Sequence, residues 1–221
     1  MNKSILAFTT VSFVLFLMIY PALEAGLATA ASTATVVAKQ QVTSEISLTV
    51  ASSTMALLPA IPGLTGGTGN ASTSVNVITN NKAGYTVTVQ GAATAGKTAA
   101  MVGDTTAGVI ADYATTTGPI TDATWADTST NGVSQFGFGI TNTSLSSANG
   151  APGYGTCTLV DSCWMKLGTT TTRTVVNVST YTSNLGDTFH LKFRVHLPAN
   201  SNPLVPQDWY TATTTVTAIV T

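Results

Sequence analysis

Few side chains in these 221 residues could do chemistry, and their spacing argues against most of it. His190 and His196 are the only histidines. They sit in FHLKFRVHL, where Phe189, Leu191, Phe193, Val195 and Leu197 alternate with His190, Lys192, Arg194 and His196. A strict period of two sends one set to a core and the other to water, the pattern of a half-buried strand. At a rise of ~3.3 Å per residue the two imidazoles lie about 20 Å apart, too far to share a metal ion. The polar set reads as a solvated basic face, and a docking stripe for an acidic glycan or a partner is the functional alternative.

The remaining candidates are equally dispersed. Asp104, Asp112, Asp122, Asp127 and Asp161 form no DxDxD run, although a calcium site built from loop carboxylates is an alternative to plain solvation. The sequence contains no GxSxG, no HExxH and no phosphate-cradling glycine loop ahead of a helix. Serines are plentiful, but a nucleophile needs a base within hydrogen-bond reach, and outward histidines on one strand are poor bases. The expectation is a protein that is not an enzyme and holds no cofactor or metal. Trp125, Trp164 and Trp209 suit core or rim packing better than a sugar-stacking platform. Asn70, Asn142 and Asn177 each open an Asn-x-Ser pattern, eligible for glycosylation where the machinery exists.

Cys157 and Cys163, in CTLVDSC, are the only cysteines. In an exported chain a close, even pair favours a disulfide, here worth about 2–2.5 kcal/mol because the loop is small. In a reducing compartment they would instead be free thiols. Export is the expectation from the amino terminus. Met1-Asn2-Lys3 is a short positive region, Ile5 to Tyr20 is apolar, Pro21 breaks the run, and Ala28-Thr29-Ala30 fits signal peptidase. Residues 1–30 therefore read as a signal peptide, with cleavage after Ala25 as a competitor and an uncleaved anchor as the alternative. The apolar run is shorter than the ~20 residues of a membrane span.

Composition sets the fold class. Charged residues are 8% and the formal net charge is -1, which offers no footprint for nucleic acid or an anionic membrane. About a fifth of residues are threonine, which with valine suits a pleated, half-buried surface. Turn signals separate about seven to ten short apolar-alternating runs, with no helical period and no repeat. Residues 31–221 are expected to form one all-β domain, a single antiparallel β-sandwich.

Several elements can be placed. Val36, Ala38, Val42, Ile46, Leu48 and Val50 share one parity in residues 31–50, either as one long irregular strand or as a free extension followed by a strand. Pro59 and Pro62 in MALLPAIPG exclude a central strand, and TGGTGN (65–70) reads as a turn. Ser72 to Thr79 and Tyr85 to Gln90, joined by Asn80-Asn81-Lys82-Ala83-Gly84, read as a hairpin. Ala92 to Asp127 reads as a long excursion with one or two short strands, or with a short helix near 107–114. QFGFGI is a strand whose outer face is bare backbone, open to close approach by another segment. FHLKFRVHL and YTATTTVTAIVT read as an antiparallel pair joined by the Pro- and Asn-rich connection between them. The sequence stops inside its last strand, with no sorting motif after it.

The ending YTATTTVTAIVT after Asp208-Trp209, the NNKAGYTVTV stretch and QFGFGI together resemble secreted prokaryotic surface β-sandwich proteins of the pilin-like and WxL-like kinds. Trp164-Met165-Lys166-Leu167 departs from the Trp-x-Leu motif by one residue. The resemblance implies a secreted or cell-surface location and contact with copies of the same chain, the cell wall or a glycan. The expected function is a structural subunit of a surface filament or layer. Residues 31–41, carrying Val36, Val37 and Ala38 and continuing to Val42, would be the strand that pairs with a neighbouring sheet edge. The alternative is a monomeric adhesin or ligand-binding module whose contact loops come from Ala92 to Asp127.

Overall fold

The computed structural model describes residues 33–113, 132–144 and 164–221. The expected signal peptide, the Cys157–Cys163 pair, Trp125, Asp122, Asp127 and Asp161 lie outside them. The chain divides into two units, residues 1–42 and 43–221. In the first, residues 33–42 carry no regular secondary structure. Val36, Val37 and Val42 are 91%, 71% and 80% exposed. Of the two readings of residues 31–50, the structure takes the extension followed by a strand.

The second unit is all-β, and no helix occurs among the described residues. Its strands are β1 (Ile46–Val50), β2 (Gly67–Thr79), β3 (Tyr85–Gly91), β4 (Met101–Gly103), β5 (Val109–Asp112) and β6 (Gln135–Ser144). They continue as β7 (Trp164–Met165), β8 (Arg173–Val178), β9 (Asp187–Leu197), β10 (Tyr210–Thr211) and β11 (Thr214–Val220). The eleven strands among the described residues exceed the seven to ten expected, because pairings as short as β7 and β10 leave no alternation to read. Eight form one sheet in the order β1-β2-β9-β6-β5-β4-β10, with β7 also on β6, and this sheet curls as half a barrel. The other three form the order β11-β3-β8. The β5–β6 pair is parallel, so the fold is not wholly antiparallel.

Strand β9 is the centre of the large sheet. It runs against β2 from Gly67↔Leu197 to Val77↔Asp187 and against β6 from Gln135↔His196 onward. Phe189, Leu191, Phe193, Val195 and Leu197 all point into the core, as the alternation predicts. They meet Val75 and Val77 of β2 and Phe136, Phe138 and Ile140 of β6, with Phe136 and Phe193 stacked at 6.2 Å between centroids. The small sheet faces them with Tyr85, Val87, Val89, Val176 and Val178. Burying each such side chain is worth about 1.5–3 kcal/mol, so this two-sheet core is the main source of stability.

Three expected local structures take another form. TGGTGN does not form a turn throughout, because Gly67 to Asn70 already pair with β9. Strands β2 and β3 are consecutive and both buried, yet they do not pair. The first belongs to the large sheet and the second to the small one, so residues 80–84 form an arch between layers. Side chains hold that arch: Asn81 Nδ2 donates to the carbonyls of Gly84 and Thr221, and the Asn81 N–H donates to Thr79 Oγ1. Gly84 sits at φ +93°, and a Cβ there would run into the Val178 carbonyl. Likewise β9 and β11 are not a hairpin. Residues 198–213 carry the chain from one sheet to the other, with β10 pairing β4 on the way. Alternation fixes which residues face the core but not which strand lies alongside, and a core between two sheets gives hairpin and arch the same pattern.

The excursion after Gly91 contains two short strands, β4 and β5, and Ile110 and Tyr113 are buried in it. No helix forms at 107–113; residues 114–127 lie outside the described part.

Across the core, the Tyr85 hydroxyl donates to Asp187 Oδ2 at 2.8 Å, and both residues are buried. Desolvation, then the hydrogen bond and the Asp187 charge, push the phenol well above its ordinary value. Tyr85→Phe should lower stability by about 1–3 kcal/mol, because Asp187 loses a donor where water does not replace it. Urea unfolding should show an earlier midpoint at constant slope, and an unchanged midpoint would contradict the assignment.

Candidate functional site

The polar face of β9 is less open than its sequence suggests. Lys192 is buried, and His190, Arg194 and His196 are half-buried. The cover comes from β7, where Trp164 pairs opposite Gly139 of β6. The glycines of QFGFGI are themselves buried and lie level with Arg194 and Lys192. With no side chains there, the indole occupies that face: Lys192 Nζ stands 4.7 Å and Arg194 Cζ 4.5 Å from its centroid. Trp164 is 3% exposed. Two cations on one indole offset part of the cost of burying Lys192.

Other polar groups here are also engaged. Arg194 Nε donates to Asn70 Oδ1 at 2.7 Å, and His196 Nδ1 lies 2.8 Å from Thr68 Oγ1. Lys166 forms an ion pair with Asp112 at 3.5 Å, and Asp112 also accepts from the Ala100 N–H. His190 stands opposite Ser74 and His196 opposite Thr68, six positions apart along β9, so the structure does not bring them together. The face is a packed polar layer, and the solvated stripe expected for Lys192 and Arg194 is corrected accordingly.

Carboxylates are not gathered either. Among the described residues no group of three His, Cys, Asp or Glu side chains could hold a metal ion. One heavily bonded carboxylate was not among the candidate acids of the sequence. Asp208, in the loop before β10, accepts from the N–H groups of Thr105 and Thr106 and from both their hydroxyls, at 2.7–2.9 Å. Its own Oδ1 also takes the Trp209 N–H. These bonds tie the β4–β5 turn to the β10 loop across a sequence gap that no local pattern can reveal. Burial pulls the Asp208 carboxyl upward, but the Thr106 and Thr105 donors outweigh it and hold it well below the usual carboxylate range. Next to it Trp209 is 80% exposed, so of the two described tryptophans one is core and one is open. A shallow depression lies nearby, lined by Ala92, Thr94, Ala100, Val102, Asp104 and Thr211; it presents a carboxylate and hydroxyls with no base beside them.

The candidate assembly residues Val36, Val37, Ala38 and Val42 are all exposed. Strands β1, β7, β8, β10 and β11 each pair on one side only, so the other side of each is without a ladder partner among the described residues. Open strand edges are surfaces that other strands can join.

Asp208 gives a testable acid response. A carboxyl depressed in the folded state contributes above its ordinary value near ~3.9 and loses that contribution only as pH falls through its folded value. Exchange protection at the Thr105 and Thr106 amides should therefore persist from neutral pH down to about 4. Asp208→Ala should remove it at every pH in that window, and equal protection in the variant would contradict the clasp.

No protein-family model matches this chain, and no curated protein or solved structure matches it.

Proposed function

We propose that the chain is a non-enzymatic structural subunit, exported to the cell surface, that assembles with copies of itself by β-strand pairing into a filament or layer. On this reading the second unit is a sandwich of the curled large sheet on the small one, of the pilin-like or WxL-like surface kind. The observation that carries the proposal is the segment 33–42. It has strand-type alternation and apolar side chains, yet Val36, Val37 and Val42 stand in solvent and no ladder includes them. A segment of that composition is stabilised when a neighbouring sheet edge satisfies its backbone and covers its valines. The 43–221 unit supports the reading from the other side, because its sheets end in strands that pair on one side only.

The experiment is a deletion. The chain lacking residues 31–41 should remain folded, with the same β-type circular dichroism and melting, and should elute as a smaller species than the intact protein. Electron microscopy of the intact protein should show polymers that the deleted form does not make. Unchanged polymers in the deleted form would sink the donor role of this segment, and a clean monomer for the intact chain would favour the adhesin or ligand-binding alternative.

A further inference from the structure

The five strands that pair on one side only among the described residues are not equivalent. β7 and β10 have two residues each. β8 is interrupted by a register shift against β3 and begins with Arg173. β1 has five residues and follows Glu45. Short length, a bulge and charge are the devices by which sheet edges are kept from pairing. β11 has none of them. It is seven residues, TTVTAIV, without charge or proline, in unbroken register with β3 from Thr214↔Gly91 to Val220↔Tyr85.

Its hydrogen-bonding sides can be assigned. The Ala92 N–H donates to the Thr213 carbonyl and the Thr221 N–H donates to the Gly84 carbonyl. Odd-numbered residues of this stretch therefore face β3, and by antiparallel alternation Thr214, Val216, Ala218 and Val220 aim their N–H and C=O groups at the open side. Side chains divide the other way. Val216 and Ala218 pack on the core, while Thr215, Thr217 and Ile219 are exposed, Ile219 at 53%. β1 of the large sheet runs close to β11 without pairing with it.

We infer that the β11 edge is a second self-association surface, pairing antiparallel with β11 of another copy about a two-fold axis through Thr217. This contact rests on reading the chain as a self-assembling subunit, and it is separate from the 31–41 segment. The register is stereochemically allowed because it sets even residues against even ones. Val216 bonds the partner's Ala218 and Thr214 bonds the partner's Val220, each pair exchanging two hydrogen bonds. Thr217 then meets the partner's Thr217, and Thr215 meets the partner's Ile219. No charge is brought against a like charge, and the three-stranded sheet becomes six strands across the axis. An edge that is self-complementary in this way makes a closed, isologous contact.

Two variants of the full-length chain test it. Thr217 pairs with itself at a non-hydrogen-bonded position, where Cα atoms stand about 4.5 Å apart, within disulfide reach. Thr217→Cys should give disulfide-linked dimers on mild oxidation, above the level of the parent chain, whereas Thr215→Cys should not. Ala218→Pro removes one outward N–H while leaving the β3 ladder intact, a placement that edge strands tolerate. It should lose the two-fold dimer in light scattering and keep its β-type spectrum. Equal cross-linking of the two cysteine variants would overturn the inference, as would an unchanged mass for a folded Ala218→Pro. Cross-linking of Thr217→Cys only when Val36→Cys is also present would show the extension of another copy on this edge, and would overturn the two-fold pairing while leaving the proposed assembly standing. Loss of assembly on deleting 31–41 with Thr217→Cys still forming dimers would show two independent contacts, as inferred.

Discussion

The hydrogen bond from Tyr85 to Asp187 is the constraint on which the rest of the arrangement depends. Each residue is the first of its strand, β3 in the small sheet and β9 in the large one. Each is preceded by a glycine in the left-handed region, Gly84 at φ +93° and Gly186 at φ +78°. Two chain entries are thus delivered to one buried point and joined there by a polar contact that water cannot replace. Apolar burial is non-directional and would tolerate some sliding of one sheet over the other. A satisfied polar pair in that layer makes most such positions costly, because a shift of one residue breaks a hydrogen bond between two buried groups.

From that point β9 organises the large sheet and is unusual in being covered on both faces. Its inner set packs against the small sheet, and its outer set lies under Trp164 and beside Asn70 and Thr68. The glycines of β6 are what make this possible. Gly137 and Gly139 leave room level with Arg194 and Lys192, and β7 brings an indole into that position. The cationic side chains here hold a layer together.

How much was legible follows from what alternation encodes. The all-β class and the inward set of β9 could be read because each depends on neighbours along the chain. Partner choice could not. Val75 and Tyr85 look like two arms of a hairpin, and only the arch at Asn81 and Gly84 shows them in different sheets. TGGTGN reads as a turn because glycine is weak in strands, yet Gly69 lies close to Pro59 and Val195, where a larger residue would crowd both. Of the candidate site residues, Val36, Val37, Ala38 and Val42 are exposed in an extension, in keeping with one of two readings. Lys192 and Arg194 were misread as solvated because their cover, Trp164, lies almost thirty residues away in sequence and carries no pairing signal. Asp208 was invisible for the same reason, its partners Thr105 and Thr106 being a hundred residues earlier.

The pairing of β2 with β9 has a consequence for how the molecule forms. Gly67 meets Leu197 and Val77 meets Asp187, so the longest ladder of the fold joins the early part of the unit to its late part. Loop closure over such a span must precede any reward from the ladder, and topologies dominated by distant pairings fold slowly. A ribosome must deliver the chain past Leu197 before the central strand can add to β2. Until then the valines of β2 and β3 have no completed core to enter. The interval between synthesis and closure is when these apolar strands are most exposed.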